Sequence, residues 1–362
     1  MLYILLYPLR EFVTSFNLFR YITFRAAMAA ITAFLISLIL GPWVIRKLKE
    51  LKIGEKISKN DSVQLDRMHE HKKDTPTMGG ILILSAITIS TVLWSDIFNR
   101  NIIIALGATL WLGLTGFIDD YLKQIKKRPK GLNAITKLTS QIVLGLIIGC
   151  ILYFDAHSSI KLDLPFIKDV SLNLDGFFIL FVILVIAGSS NAVNLTDGLD
   201  GLAIGIVVMV AIAFSVLSYV TGNIKLSSYL LIPYINGSGE LTVFCASILG
   251  AGLGFLWFNC YPATVFMGDV GSLALGGALG TVALLIRKEL LLIIVGGIFV
   301  LEALSVILQV ASFKLTKKRI FKIAPIHHHF QFLNWPENKV IVRFWIVAAL
   351  LALMTIVTLK IR

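Results

Sequence analysis

Five aspartates at three separate places in the chain are the strongest candidates for chemistry. Asp119 and Asp120 end one apolar segment, Asp197 and Asp200 lie in a tight link between two others, and Asp269 follows a break that contains proline and glycine. One such aspartate alone is explained equally well as a helix cap or an interfacial charge. Five aspartates gathered at the ends of apolar segments indicate a functional site. At helix ends they avoid most of the roughly 2.5–3.5 kcal/mol that a carboxylate costs at mid-bilayer, while staying close to the membrane.

The local spacing adds detail at each of these places. Asp119 and Lys123 are four residues apart in DDYLK, so they share a face if the helix continues, although a simple ion pair has the same spacing. In NAVNLTDGLDGLAIG, polar residues recur every three positions: Asn191, Asn194, Asp197 and Asp200. This spacing would keep them near one edge of a continuing turn; the alternative is that Asp200 is the N-cap of the next helix.

The segment FNCYPATVFMGDVGS places glycine directly before an acid. Pro262 and Gly268 are expected to break the helix, and Gly268 beside Asp269 permits a close approach of the backbone to phosphate. Magnesium usually takes one or two carboxylates together with phosphate oxygens and water. Acids, a hard cation and lysines at a membrane surface together suggest phosphoryl transfer to a lipid phosphate.

Three adjacent histidines in PIHHHF form a further candidate at residues 325–330. Metal binding, phosphate binding, acid–base work and a structural role all remain open for them. Zinc sites usually use spaced ligands with Cys or HExxH nearby, which favours phosphate binding or acid–base work. No GxxxxGK or GxGxxG turn supports a soluble nucleotide-binding fold.

The elements that carry these residues belong to an integral membrane protein. Apolar residues make up 57% of the 362 positions and charged residues 15%, with a mean hydropathy of +0.86. A soluble protein of this length needs about a quarter of its residues charged. The composition therefore excludes soluble, disordered and fibrous classes and predicts an all-α integral membrane protein.

About ten transmembrane helices are predicted in a single polytopic domain over 1–362. The apolar spans are 21–45, 78–95, 100–118, 134–154, 176–193, 199–220, 240–258, 270–286, 290–312 and 340–360. Between the fourth and fifth spans, alternating apolar and polar residues predict a small extracytoplasmic β-hairpin near 160–175.

The distribution of basic residues predicts the orientation. Loops 46–73, 119–137 and 313–339 hold 21 Lys and Arg, against six in the loops of the opposite side. This bias places the three basic loops and the aspartates on the cytoplasmic face and both termini outside. The net charge of +12 indicates contact with anionic headgroups rather than nucleic acid.

At these motifs the sequence resembles the polyprenyl-phosphate N-acetylhexosamine-1-phosphate transferases. Within that family it is most similar to the members that transfer phospho-N-acetylmuramoyl-pentapeptide. The matching segments are KKDTPTMGG (72–80), DDYLK (119–123), NAVNLTDGLDGLA (191–203), NCYPATVFMGDVGS (259–272), PIHHHF (325–330) and NWPENKVIVRFWI (334–346). Relatives that use N-acetylglucosamine phosphate share the acidic motifs but resemble TPTMGG and PIHHHF much less.

The resemblance implies a reaction and its participants. UDP-MurNAc-pentapeptide would give its phospho-sugar to undecaprenyl phosphate in the bacterial inner membrane, forming lipid I and UMP with Mg²⁺ as cofactor. Membrane lipids would be the other partners, and a homodimer is compatible with the family. Direct attack by the lipid phosphate is favoured over a covalent aspartyl intermediate, because that phosphate is already an anionic nucleophile.

The resemblance also implies roles for individual residues. Asp269 would be the Mg²⁺ ligand, Asp119 the base that deprotonates or frees the lipid phosphate, and Asp120 a supporting acid, with His328 as a further catalytic candidate. The implied substrate contacts are Lys72, Thr77, Lys123, Asn194, Asp197, Asp200, Phe266, Gln309, His327 and His329. Glu302, in the middle of a span, is expected to be a groove-facing or paired acid.

Two other classes of function remain as alternatives. A GlcNAc-1-phosphate transferase would share the acidic motifs, and an ion-coupled transporter would also carry acids and glycines within its spans. Against a transporter, the acids lie toward one face rather than at the midplane, and no internal repeat is visible.

Overall fold

The predicted apolar spans form helices in a computed structural model that describes residues 1–51, 53–54, 72, 75–128, 130–155, 161–164 and 171–360. The α-helices are α1 (Leu2–Leu6), α2 (Ile22–Glu50), α3 (Gly80–Trp94), α4 (Arg100–Gln124), α5 (Ala134–Tyr153), α6 (Phe178–Thr196), α7 (Leu202–Thr221), α8 (Ile224–Leu230), α9 (Glu240–Asn259), α10 (Gly268–Leu285), α11 (Glu289–Val295), α12 (Gly297–Thr316), α13 (Ile326–Gln331) and α14 (Glu337–Val357). Short 3₁₀ helices occupy Tyr7–Glu11, Thr14–Arg20, Asp175–Phe177 and Thr358–Lys360.

The prediction of an all-α membrane protein is confirmed. Among the described residues, nine helices are long and apolar enough to cross a membrane, and the 15-residue α3 is a shorter apolar helix. The predicted hairpin is present as β1 (Lys161–Asp163), paired antiparallel with β2 (Ser171–Asn173). Its turn, most of the basic loop 46–73, and residues 73 and 74 of the KKDTPTMGG segment lie outside the described residues.

One predicted span is wrong as a single helix. The span 290–312 is interrupted at Gly296, which separates α11 from α12. Two consecutive glycines, Gly296 and Gly297, lower the helix propensity at this point, so the continuous apolar run concealed a change of direction.

The most buried helix, α10, organises the bundle. It packs against α4, α6 and α3, while α9 packs against α2 and α7. Every residue of α10 from Val270 to Leu285 is buried. Small residues allow neighbouring helices to pack this closely around α10. Such packing matters because membrane helices associate through close backbone contacts rather than through a hydrophobic driving force.

Two glycines near the aspartates allow very close contacts between helices. A Cβ on Gly116 of α4 would lie 2.1 Å from the backbone oxygen of Asp269. A Cβ on Gly80 of α3 would lie 2.2 Å from the backbone nitrogen of Gly271. These two contacts bring the end of α4 and the start of α3 directly against the first turn of α10.

The two ends of the bundle differ in chemistry. One end carries the aspartates. At the other, Arg25 at the start of α2 forms a bidentate ion pair with Glu240 at the start of α9, with distances of 2.6 and 2.7 Å, and also donates to the Trp94 carbonyl. The first and last described residues and the β-hairpin lie toward this second end, because α2 begins there and α5 and α14 end there.

Replacing Gly116 with alanine should destabilise the bundle. The added methyl group would meet the Asp269 backbone, and overpacking of this kind typically costs about 1–3 kcal/mol. We expect a lower apparent unfolding temperature in detergent. Gly107 on the same helix has no atom of the described residues within 4 Å of its Cβ position, so Gly107→Ala is the matched control. Equal unfolding temperatures for the two variants would contradict this packing.

Candidate active site

Three carboxylates from two helices meet at one end of the bundle. Asp119 and Asp120 lie near the end of α4, and Asp269 lies in the first turn of α10. One oxygen from each lies within 4.8 Å of the others. Asp119 is fully buried and Asp120 nearly so, whereas the Asp269 side chain is 17% exposed. The structure therefore brings together three of the five predicted aspartates.

Two lysines lie between the carboxylates. The Lys123 ammonium is 2.5 Å from Asp119 Oδ2 and 3.1 Å from Asp269 Oδ2. The Lys137 ammonium is 2.7 Å from Asp119 Oδ2 and 2.5 Å from Asp269 Oδ2. With two positive and three negative charges, the cluster has a formal charge of −1, and one of its carboxylates, Asp269, is partly exposed.

Lys137 was missed by the sequence analysis. It lies in the first turns of α5, where a cation opposes the helix dipole and is unfavourable unless an acid lies close by. That unfavourable position was a usable signal. Its partners, however, come from two other helices, so no local spacing could identify them.

The loop before α5 completes the burial of Asp119. The Leu132 backbone N–H donates to Asp119 Oδ1 at 2.7 Å. Gly131 has φ +54°, and a Cβ there would lie 2.4 Å from the same oxygen. Glycine suits position 131 because its φ is positive and, above all, because any side chain there would collide with the Asp119 carboxylate.

Asp120 faces the N-terminus of α10. The Val270 backbone N–H donates to Asp120 Oδ2 at 3.2 Å. Gly268 has φ +72°, and a Cβ there would lie 2.6 Å from Asp120 Oδ2 and 2.9 Å from Thr77 Oγ1. The positive end of the helix dipole thus points into the carboxylate cluster, where it stabilises negative charge.

Asn194 joins α6 to the cluster. Its side-chain amide donates to Asp269 Oδ1 at 2.9 Å and to Ser272 Oγ at 2.8 Å. Asn191 instead donates to Gln141, and α6 ends at Thr196 with Asp197 as its C-cap residue. The four polar residues of this motif therefore do not share one edge.

Asp200 is held in a separate ion-pair group, centred on Lys72. The Lys72 ammonium is 2.6 Å from Asp200 Oδ1 and 2.6 Å from Glu337 Oε1, and all three side chains are buried. Asp200 also accepts from the Ala263 backbone N–H, and Glu337 accepts from the Asp200 backbone N–H. This group ties together the 72–80 segment, the α6–α7 turn and the start of α14.

Phe266 lies beside this group. Its backbone pairs with the 76–79 segment: Phe266 N donates to the Pro76 carbonyl, and the Phe266 carbonyl accepts from Gly79 N, both at 2.8 Å. Its half-buried ring lies 6.0 Å from the Lys72 ammonium. Thr77 is buried against Gly268 in the same segment.

The three histidines lie on α13 and face three different partners. His327 Nδ1 is 3.1 Å from Glu302, His328 Nδ1 is 2.8 Å from Gln331 Oε1, and His329 Nδ1 accepts from the Lys322 backbone N–H. The rings do not converge on one ion. Gln309 uses its amide on the backbone of residues 320 and 321, so the structure gives it a loop-holding contact.

The donor set of the carboxylate cluster suits a hard divalent cation. Asp119, Asp120 and Asp269 offer only oxygen ligands, which Mg²⁺ prefers over nitrogen or sulfur. The residual negative charge and the partly exposed Asp269 would admit an ion together with the phosphates of a substrate.

Comparison with known proteins identifies the family of the chain. A model of glycosyl transferase family 4 matches residues 102–287, just over half of the chain. Signature 1 of phospho-N-acetylmuramoyl-pentapeptide-transferase matches residues 72–84. The phospho-N-acetylmuramoyl-pentapeptide-transferase of Desulfatibacillum aliphaticivorans is 55% identical over 100% of both chains. The chain belongs to the phospho-N-acetylmuramoyl-pentapeptide-transferase family.

A second relative supports the same family. The two matched regions cover different parts of the candidate site. The protein of the same name from Desulforapulum autotrophicum is 52% identical, again over 100% of both chains. The match to the wider family contains all the carboxylates of the cluster, with Lys123, Lys137 and Asn194. The signature contains Lys72 and Thr77. The histidine helix lies outside both matches.

Removing the Lys72 charge should destabilise the fold far more than removing an exposed lysine. Lys72→Met leaves Asp200 and Glu337 buried without the cation between them, and breaking a buried pair typically costs about 3–5 kcal/mol. The exposed Lys47–Glu50 pair supplies the control, because Lys47→Met should cost less than about 1 kcal/mol. Apparent unfolding temperatures in detergent measure both; equal shifts would contradict a stabilising role for the Lys72 group.

Proposed function

We propose that this chain transfers phospho-MurNAc-pentapeptide from UDP-MurNAc-pentapeptide to undecaprenyl phosphate, forming lipid I and UMP. The observation that carries the proposal is the cluster of three carboxylates and two lysines at one end of the apolar bundle, within a chain that matches named transferases over its whole length. At that place a phosphate attached to a membrane lipid and a soluble nucleotide can meet.

Magnesium is the cofactor that we propose for the cluster. Asp269 would be the leading ligand, because it is the most exposed of the three carboxylates and lies at the N-terminus of α10. Asp120 would support it from α4. When bound, Mg²⁺ would neutralise charge on the diphosphate and align it for displacement.

The chain's own residues would perform the remaining tasks. Lys123 and Lys137 contact the carboxylates in the structure. When a metal ion shares those carboxylates, the two ammonium groups would also attract phosphate oxygens of the substrate. Asn194 holds the Asp269 carboxylate in orientation. The partly exposed ring of Phe266 can stack on the uracil, and the Lys72 group would fix that ring's surroundings.

The reaction would proceed by direct attack of the lipid phosphate. An oxygen of that phosphate forms a bond to the β-phosphorus, and the bond from the β-phosphorus to the bridging oxygen breaks, so that UMP leaves with that oxygen and its electron pair. Asp119 would accept the proton of the lipid phosphate or position that phosphate for attack. Asp119 is buried and already contacts two ammonium groups and a backbone N–H, which leaves its oxygens poorly placed for nucleophilic attack on phosphorus.

Localisation follows from the charge bias. We propose the bacterial inner membrane, with the carboxylate cluster at the cytoplasmic face, because the basic loops join the helix ends that carry the cluster. The transporter alternative is disfavoured because the three clustered aspartates lie at one end of the bundle rather than at mid-depth. The signature match at residues 72–84 favours the muramyl donor over UDP-GlcNAc.

Release of UMP tests the proposed function. Purified protein should release UMP from UDP-MurNAc-pentapeptide only when polyprenyl phosphate and Mg²⁺ are both present, because the acceptor and the charge neutralisation are each required. Liquid chromatography of the nucleotide measures it. Release from UDP-GlcNAc at a similar rate would move the assignment to the GlcNAc-1-phosphate transferases.

Sealed membrane vesicles provide the control for sidedness. The charged nucleotide does not cross a bilayer, so inside-out inner-membrane vesicles should release UMP and right-side-out vesicles should not. The reverse pattern would place the carboxylate cluster on the outer face.

Isotope exchange distinguishes direct attack from a covalent aspartyl intermediate. Enzyme, Mg²⁺, UDP-MurNAc-pentapeptide and labelled UMP are incubated without polyprenyl phosphate. Direct attack predicts no label in the precursor, because no phospho-sugar enzyme forms. Label incorporation that disappears in Asp119→Asn or Asp120→Asn would identify that aspartate as a nucleophile and overturn the proposed step.

A further inference from the structure

Glu302 is a fully buried acid that the proposed chemistry does not use. It lies on α12, whose buried residues are confined to its first half: Ile298, Phe299, Glu302 and Ser305. From Ile307 to Thr316 the helix is mostly exposed. A carboxylate at a buried position is costly unless it is paired, so its partner identifies its role.

The partner is His327. Its Nδ1 lies 3.1 Å from Glu302 Oε2, and neither side chain has any exposed surface. Within the described part of the chain, no Glu302 oxygen and no His327 nitrogen forms a hydrogen bond of good geometry, so this 3.1 Å polar contact is the closest partner that either buried side chain has. A carboxylate at this distance favours the tautomer that carries a proton on Nδ1 and so favours this orientation of the ring.

The other edge of the His327 ring packs on the α6–α7 turn. A Cβ on Gly198 would lie 2.3 Å from His327 Nε2. Gly198 lies between Asp197 and Asp200, and Asp200 is bound to Lys72. The imidazole is therefore wedged between Glu302 on α12 and the turn that leads to the Lys72 group.

The segment from α12 to α13 closes on itself through two further contacts. Gln309 accepts from the backbone N–H groups of residues 320 and 321 and donates to the Phe321 carbonyl, and His329 accepts from the Lys322 backbone N–H. Residues 297–331 thus form one unit, which we call the returning arm. His327 lies between Glu302 of this arm and Gly198 of the α6–α7 turn.

We infer that Glu302 is a positioning residue that acts through His327 to seat the returning arm against the α6–α7 turn. This inference rests on the proposed function in one respect, namely that the seated arm and turn form the nucleotide-sugar side of the site. Loss of the Glu302 charge should therefore weaken use of the nucleotide precursor and leave the acceptor side little changed.

The test compares Glu302→Gln with Ser305→Ala. Gln keeps the shape of Glu and removes the charge. Ser305 is buried on the same helix, and its hydroxyl donates to the Glu302 backbone carbonyl one turn earlier. We expect Glu302→Gln to raise the KM for UDP-MurNAc-pentapeptide at least about tenfold, with a change below about twofold in the KM for polyprenyl phosphate. Glu302→Asp should recover part of the loss. Ser305→Ala should resemble the parent protein.

Hydrogen exchange gives a readout that does not depend on activity. Glu302→Gln should speed amide exchange in 320–331 and 196–201, measured by mass spectrometry, while Ser305→Ala should not. If the parent protein releases no UMP, the proposed function fails and this exchange comparison still decides the inference. Unchanged exchange in Glu302→Gln, or equal rises in both KM values, would overturn the positioning role.

A second pair of variants tests the same contact from the His327 side, in case Glu302→Gln fails to fold. His327→Asn places an amide N–H near the Nδ1 position and can still reach the carboxylate, whereas His327→Leu cannot. His327→Asn should therefore show slower exchange in 196–201 than His327→Leu. Equal exchange rates would contradict a role that depends on the Glu302 contact.

Discussion

Mutual repulsion among three carboxylates is the constraint on which the rest of the structure depends. Asp119, Asp120 and Asp269 place oxygens within 4.8 Å of one another in a largely buried position. Such a group is stable only if cations, N–H donors and a helix N-terminus face it. Lys123 and Lys137, the backbone N–H groups of Leu132 and Val270, and the first turn of α10 meet that need.

This arrangement leaves the cluster with a net negative charge. The two lysines neutralise most of the cluster, but the remaining formal charge of −1 and the partial exposure of Asp269 favour a further cation at the membrane boundary. Close glycine contacts between α4, α3 and α10 keep the carboxylates from moving apart. The local fold and the proposed chemistry thus follow from the same packing.

Contacts within one helix could be predicted from the sequence, and contacts between helices largely could not. The Asp119–Lys123 pair follows from a four-residue spacing on a continuing helix. Lys137 and Asp269 are 132 residues apart, and no periodicity records such a pair. The same limit applied to Glu302, which was expected to be paired or groove-facing and whose partner His327 follows only after the chain reverses direction.

Helix breaks were predicted where proline and glycine interrupt the apolar pattern, as Pro262 and Gly268 do before Asp269, and were missed where apolar residues continue. The break at Gly296 lies inside an uninterrupted apolar span, so hydropathy alone favoured one helix. Gln309 illustrates a further limit: the family resemblance implies a substrate contact, which stays a prediction, and it gives no sign of the hydrogen bonds that the side chain makes to the backbone of residues 320 and 321.

Binding of Mn²⁺, measured by electron paramagnetic resonance, tests the central claim most directly. If the lysines and a divalent cation share the carboxylates, Lys137→Met should bind Mn²⁺ more tightly while UMP release falls. Removing a unit charge about 5 Å from a divalent ion is worth about 1.7 kcal/mol even at the dielectric constant of water, or more than tenfold in Kd. Asp269→Asn should bind Mn²⁺ more weakly than the parent protein. Unchanged or weaker binding in Lys137→Met, or unaltered binding in Asp269→Asn, would contradict the account.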